Sequence, residues 1–441
     1  MEVSPVRTIL LLLPVFAASN SLAASVTGVP IFKVLVGLIL LFTVLAYGSK
    51  AWMSSRLLLG FFAMLSLFFA YAVGSATWAP DSSLAFSKIN SIGVALMLVY
   101  ALCASRAYKK ATFRFLIYGW IAAVAFTTAF AAFELAVGRN FFGNERFSDV
   151  TTYGQVVLST FHNPNNFSIF LSLAMPMVLY AVLKSAGWRK FLLTGLWLTA
   201  LAFLLVAASR MALLVATIQL AVFIFLTRSS RIFKGAAMIG ALAVMASAFV
   251  LSSRISEKVG SLVEGGDVSA LTRVGLVLDG IWMARESDWM GVGAGNFPYY
   301  IEHRNPPYEV RGVVVPHNLW IEILSEYGIG VFVAFTLYLA YVGRQAVRLS
   351  RRRTRMLARG QHFETMTLLM LLVSYPVAVV SPSHYVADPV NWLFLTTIVL
   401  WAKRLSDEQW SLTRIPGGAS IEAGVAAGIS RSSPPVSRRS N

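Results

Sequence analysis

The sequence predicts an all-α, polytopic membrane protein of about twelve transmembrane helices, with one long outside loop that carries an amphipathic helix. Three observations predict it. Of 441 residues, 57% are hydrophobic and only 13% charged, where soluble domains average about 45–50% and about 25%. Apolar runs long enough to span a bilayer recur along almost the whole chain. Basic residues crowd into alternate connections, the bias that sets orientation in a membrane.

In chain order the spans fall at 8–24, 31–48, 57–75, 88–105, 114–137, 166–183, 191–208, 210–227, 234–251, 318–342, 366–381 and 389–403. The first resembles a secretory signal, with Arg7, a short apolar core and small residues near 23–25. An uncleaved helix is the preferred reading, because another span follows at once. With a cytoplasmic N-terminus, the inside segments carry Arg7, Lys50, Arg56, the 106–114 and 184–190 clusters, and the 228–234 and 344–359 clusters. Together with the tail they hold 26 of the 37 basic residues. Outside remain Lys33, Lys88, Arg139, Arg146, Arg210 and six residues within 252–317. Both termini are then cytoplasmic, and residues 1–404 form one transmembrane unit. Residues 405–441 are Ser-, Pro-, Gly- and Arg-rich and read as a disordered cytoplasmic tail.

The net charge of +17 would suggest nucleic acid in a soluble protein. Here its distribution removes that partner, and "RRRTR" at 351–355 reads as a topology anchor. The single cysteine, Cys103, lies in an apolar run and excludes an intrachain disulfide or a cysteine-based metal site. No histidine or carboxylate pair has a metal-ligand spacing, so no metal or other cofactor is expected. "GVGAGNF" at 291–297 lacks the strand and helix opening of a nucleotide fingerprint.

The outside face concentrates the chemistry. Loop 252–317 contains "SALTRVGLVLDGIWMARES", with Leu271, Val274, Leu278, Ile281 and Trp282 at helical spacing. That pattern fits a helix on the membrane surface or one packed on the protein, and periodicity does not separate the two. Arg210 opens a helix on the face that basic residues avoid, where the helix dipole disfavours a cation by about 0.3–1 kcal/mol. An anionic ligand would account for it. Arg273 lies beside the apolar stripe of the loop helix.

His317 follows Pro316 at the mouth of the tenth span, where the dipole favours neutral imidazole. Asn318, Glu322 and Glu326 follow at i, i+4 and i+8, sharing one face that runs into the lipid-spanning segment. Carboxylates there line a cavity or pair with cations. "FHNPNNF" at 161–167 places Asn163 and Asn165 around Pro164 at a helix start, as a capping turn or a binding turn. His384 and Asp388 stand in a polar outside turn, "SPSHYVADP", without a partner legible in the sequence.

In order, "NPNN" at 163–166, "SR" at 209–210, "TRVGLVLDGIWMARESDWMGVGAGNF" at 272–297 and "PHNLWIEILSEYGIGVF" at 316–332 make a specific set. The set resembles the O-antigen ligase and Wzy polymerase superfamily of bacterial envelope glycosyltransferases. That resemblance implies inverting transfer of a glycan from undecaprenyl diphosphate to an acceptor hydroxyl at the periplasmic face of the inner membrane. The acceptor would be lipid A–core for a ligase or a growing polysaccharide for a polymerase, with membrane lipid around both. It carries the motif arginines onto Arg210 and Arg273, the histidine onto His317, and the "HN…E.G" signature onto Asn318, Glu326 and Gly328. Two arginines suit a diphosphate leaving group, and a neutral histidine suits an alcohol acceptor. Glu326 would orient His317 or pair with an arginine. A flippase or transporter of lipid-linked oligosaccharides is the alternative, disfavoured because the polar residues gather at the outer mouth and no repeat is visible.

Overall fold

The computed structural model describes residues 5–20, 22, 27, 30–46, 50–142, 157–207, 209–227, 235, 268–308, 310, 312–353 and 359–413. Among them there is no strand. The helices are α1 (Pro5–Ala18), α2 (Ile31–Ala46), α3 (Arg56–Ser75), α4 (Ser82–Ala104), α5 (Lys110–Val137), α6 (Pro164–Lys184) and α7 (Gly187–Val206). They continue with α8 (Arg210–Leu226), α9 (Val268–Glu286), α10 (Phe297–His303), α11 (Leu319–Arg353), α12 (Arg359–Ala378) and α13 (Pro389–Thr413).

Six of these helices are long and apolar enough to cross a membrane: α3 to α7, and α11 over 319–351. The shorter α1, α2 and α8 are also apolar. The chain is a multi-pass membrane protein. Eleven of the twelve expected spans overlap helices, and 234–251, apart from residue 235, lies outside the described residues. Two helices extend well beyond their apolar runs, one at its start and one at its end. Asp81 accepts hydrogen bonds from the Ser83 and Leu84 amides and so nucleates α4 six residues before its expected start. At the far end α13 runs to Thr413, into the segment expected as tail, and residues 414–441 lie outside the described ones.

α13 is the axis of the bundle, packed against α1, α3, α4, α5, α11 and α12. Its Trp392, Phe394, Leu395, Ile398 and Trp401 are accordingly buried on every side. A helix with neighbours all round needs no polar face. The two ends of the bundle differ in chemistry. One gathers cations: Arg404 bonds Glu364 and Glu408, Lys403 pairs with Asp407, and Lys184 approaches Glu364. The other end carries the starts of α4, α6, α8 and α11 and the 379–388 connection, and there the polar residues singled out above assemble.

α9 lies against α11 through a small separate core of Leu276, Met283, Val292, Phe297, Val310 and Ile321. Gly280 lets the two helices touch, since a Cβ there would collide with Ile321. Leu271 and Val274 point away from this contact, 64% and 57% exposed. The loop helix therefore has both faces considered for it: a packed one, and an uncovered apolar one suited to a membrane surface.

Candidate active site

The site is built around an interruption in α11. Gly328 adopts φ 73° and ψ 178°, which breaks the helical ladder. Into that break comes the chain after α9. Ile329 donates its N–H to the Trp289 carbonyl at 2.9 Å in place of an intrahelical partner. A Cβ on Gly328 would collide with Trp289 and lie 2.6 Å from the Met290 carbonyl oxygen.

Glu326 completes the junction. Its Oε2 accepts from the Gly295 amide at 2.8 Å and its Oε1 from Phe297 at 3.4 Å, while Val292 and Gly293 donate to the Ser325 and Glu326 carbonyls. α3 and α4 grip the same loop. Tyr71 donates to Met290, Trp78 to Gly291, and Ser75 accepts from Ala294. Asn296 bonds the Asp81 backbone in both directions. "GVGAGNF" is thus a docking loop that fixes α9, and Glu326 is its anchor. The carboxylate is 1% exposed and satisfied by amides, so its observed partners are neither His317 nor an arginine.

One turn nearer the mouth, Glu322 is also fully buried and forms an ion pair with Lys88 of α4. Its second oxygen accepts from the Val386 amide at 3.2 Å. Lone carboxylates are costly at such depth, and a cation plus an amide offset that cost. The pair ties α4 and α11 to the 379–388 connection.

His317 sits where these elements meet. Its backbone takes φ 43°, a left-handed conformation that non-glycine residues adopt at a cost of about 1–3 kcal/mol. The ring is half-buried, with Nδ1 3.0 Å from Ser383 Oγ. Burial and the positive charge of Arg273 push its pKa down to about 4, against a backbone hydrogen bond to Ser381 that raises it. At neutral pH the imidazole is uncharged and able to accept a proton. Ser383 is itself held by α6: Asn166 Oδ1 accepts its N–H at 3.1 Å, and Asn163 Nδ2 donates to its Oγ at 3.4 Å. The "NPNN" and "PHN" motifs, over 150 residues apart, therefore meet on one serine.

Residues 194–336 match a family model described as O-Antigen ligase. That stretch is therefore similar to an O-antigen ligase domain. The chain is also 22% identical over 352 residues to the teichuronic acid biosynthesis protein TuaE of Bacillus subtilis (strain 168), covering 77% of this chain and 71% of that one.

The O-antigen ligase-type segment contains Arg210, Arg273, His317, Asn318, Glu322 and Glu326, and leaves out Asn163, Asn165 and Ser383. The positive charge of Arg273 acts on the His317 ring and lowers its pKa, after burial, the larger cause. Arg210 is half-buried at the first position of α8, at the same end of the bundle. Asn318 caps α11, its Oδ1 accepting from Trp320 at 3.0 Å and Ile321 at 3.4 Å. Asn163 caps α6 by accepting from the Asn165 amide at 2.8 Å. Asn165 thus enters this turn through its backbone, and Asn163 and Asn166 are the residues that reach across to Ser383. Sequence reasoning passed over Lys88, Asn166 and Ser383. Ser383 stood in the one polar turn for which no partner was legible.

Proposed function

We propose that this chain is an inverting membrane glycosyltransferase for cell-surface polysaccharide biosynthesis. In this reading it moves a glycan from undecaprenyl diphosphate to an acceptor sugar hydroxyl at the periplasmic face of the bacterial inner membrane. The observation that carries it is a half-buried His317 at the polar end of a helix bundle, bonded to Ser383 and kept neutral by burial and by the charge of Arg273. The family match and the relative's part in teichuronic acid biosynthesis support the same class of product. The positive-inside bias puts this end outside, within a topology of twelve spans.

The reaction exchanges one bond at the anomeric carbon and moves one proton. The acceptor oxygen attacks the anomeric carbon, the bond from that carbon to the diphosphate breaks, and the hydroxyl proton passes to His317. The lipid diphosphate leaves with the bonding pair. Arg273 and Arg210 stabilise the charge that develops on it, a term typically worth about 10²–10³ in rate per donor. Proton transfer to a positioned histidine contributes about 10²–10⁴. Asn318, Glu322, Glu326 and Asn163 hold the elements that present these groups. Lipid A–core is the acceptor in the ligase form of the reaction and a growing chain in the polymerase form, and the same groups serve both.

A groove supports the lipid part of the substrate. Between α6, α7, α8 and α12 lies an apolar cleft of about 390 Å³, lined by Trp197, Leu201, Leu204, Leu213, Leu220 and Met370. Leu213 stands one turn after Arg210. A polyprenyl chain in this cleft would have its diphosphate near the arginine.

The test uses purified protein in nanodiscs with donor and acceptor extracted from a strain lacking the gene. Covalent transfer by the wild type, lost in His317→Ala with the variant still monodisperse, is expected. Undiminished product from His317→Ala, or movement of the lipid-linked glycan across a bilayer without product, would sink the assignment.

A further inference from the structure

We propose that Ser383 is the positioning residue for His317: its Oγ accepts the Nδ1 proton, so that the Nε2 lone pair faces the acceptor hydroxyl. This rests on the reading of His317 as the base. Nδ1 is turned towards Ser383 at 3.0 Å, so a base acting on substrate has to use Nε2. Nε2 carries a lone pair only when Nδ1 carries the hydrogen, and which nitrogen holds it is set by the partner of the other.

Ser383 is fitted for the accepting role. A serine hydroxyl has two acceptor lone pairs and one donor hydrogen. Asn163 Nδ2 donates to one of those pairs, which leaves the second for the Nδ1 hydrogen. The serine backbone is fixed independently by Asn166, so the oxygen is held by α6 at two points. The Ser381 carbonyl, two residues earlier, is a second acceptor for the ring's single hydrogen, and a carbonyl has no hydrogen to give. The 381–383 segment thus presents acceptors to the ring.

The chain of contacts explains why the "NPNN" turn and the "SPSH" turn lie against each other. It also gives His317 a reason to hold a left-handed backbone: φ 43° aims the ring at the serine. In this role Ser383 is a positioning residue and not a catalytic one. It acts through the imidazole, and through the imidazole alone.

Two measurements test this on the full-length protein. The first needs no substrate: carbethoxylation of His317 by diethyl pyrocarbonate, followed by peptide mass spectrometry as a function of pH. Ser383→Ala is expected to change the rate and the pH midpoint of modification, and Ser383→Thr, which keeps the hydroxyl, to restore both. The second is transfer with donor and acceptor extracted from a strain lacking the gene. Ser383→Ala is expected to lower kcat by about 10- to 100-fold with KM within about twofold, and Ser383→Thr to recover to within about threefold. Asn166→Ala should shift both readouts in the same direction by less. The proposal is overturned if Ser383→Ala keeps wild-type kcat and modification kinetics. It is equally overturned if Ala and Thr variants lose activity alike while His317 modification is unchanged, since that is a packing role. An active His317→Ala overturns the base assignment and this one together; an inactive His317→Ala beside a wild-type Ser383→Ala overturns this one alone.

Discussion

Lys88 of α4 and Glu322 of α11 form an ion pair sealed inside the bundle, with Glu322 fully buried and its second oxygen on the Val386 amide. Removing one partner strands the other charge, which costs about 3–5 kcal/mol. Lys88→Met is therefore expected to lower the thermal midpoint in detergent by several degrees or more. Lys88→Met combined with Glu322→Met should recover much of that loss, because an apolar pair of similar volume needs no counter-charge. Equal midpoints for the single variant and the wild type would show that the pair carries no stability.

Gly328 is the gate through which the loop after α9 enters α11. Gly328→Ala adds a methyl against the Trp289 and Met290 carbonyls at φ 73°. Either the backbone strain of about 1–3 kcal/mol is borne, or the loop withdraws. The expected outcome is a lower midpoint and faster proteolytic cleavage within 287–297, since the anchor at Gly295 and Phe297 is then also weakened. Unchanged cleavage with unchanged stability would contradict the docking role. Glu326→Gln should show the same cleavage phenotype more mildly, because an amide oxygen still accepts from one of the two backbone donors.

How much of this was legible beforehand depends on the kind of signal. The spans were, because the hydrophobic requirement of a bilayer is local and long. His317 and Arg210 stand out in the sequence, because lipid makes each polar group at the mouth of a span a question. Lys88 does not: in the sequence it is one of eleven outside cations, and its partner lies 234 residues away. The glutamates were seen, yet their partners were not, since a carboxylate that binds backbone amides leaves no complementary charge to find. Ser383 and Asn166 carry no charge at all. For α9, the stripe of Leu271, Val274, Leu278, Ile281 and Trp282 divides: Leu271 and Val274 are exposed, while Ile281 and Trp282 pack against the core that holds Leu276 and Met283. A helix with two apolar faces gives periodicity nothing to choose between them.

His317→Ala tests the base directly. With the general base gone, transfer should fall by about 10²–10⁴. The variant should otherwise behave as folded protein, because removing the ring frees one serine hydroxyl at a half-buried position. His317→Gln is the closer control for packing and should be as inactive. Activity within tenfold of wild type in either variant would assign the proton transfer elsewhere.

Arg273 gives a prediction with a sign. Its charge is one of the causes that push the His317 pKa from its ordinary 6.5 down to about 4, after burial, which is the larger. A base is lost as pH falls through its pKa, so kcat/KM of the wild type should be flat around neutrality, with its acid limb near pH 4. Arg273→Gln removes the positive charge and leaves the burial. The His317 pKa then rises towards 6.5, and the acid limb of the remaining activity moves to higher pH. The rate itself also drops, by about 10²–10³, because a donor to the leaving diphosphate is gone. The two effects separate by pH: the loss in rate persists at pH 8, where His317 is neutral in both proteins, while the shift of the limb shows only below neutrality. The limb is also readable without turnover, as the pH midpoint of His317 modification. A midpoint unmoved by Arg273→Gln would mean that the arginine does not act on this imidazole. Arg273 would then belong to the diphosphate alone.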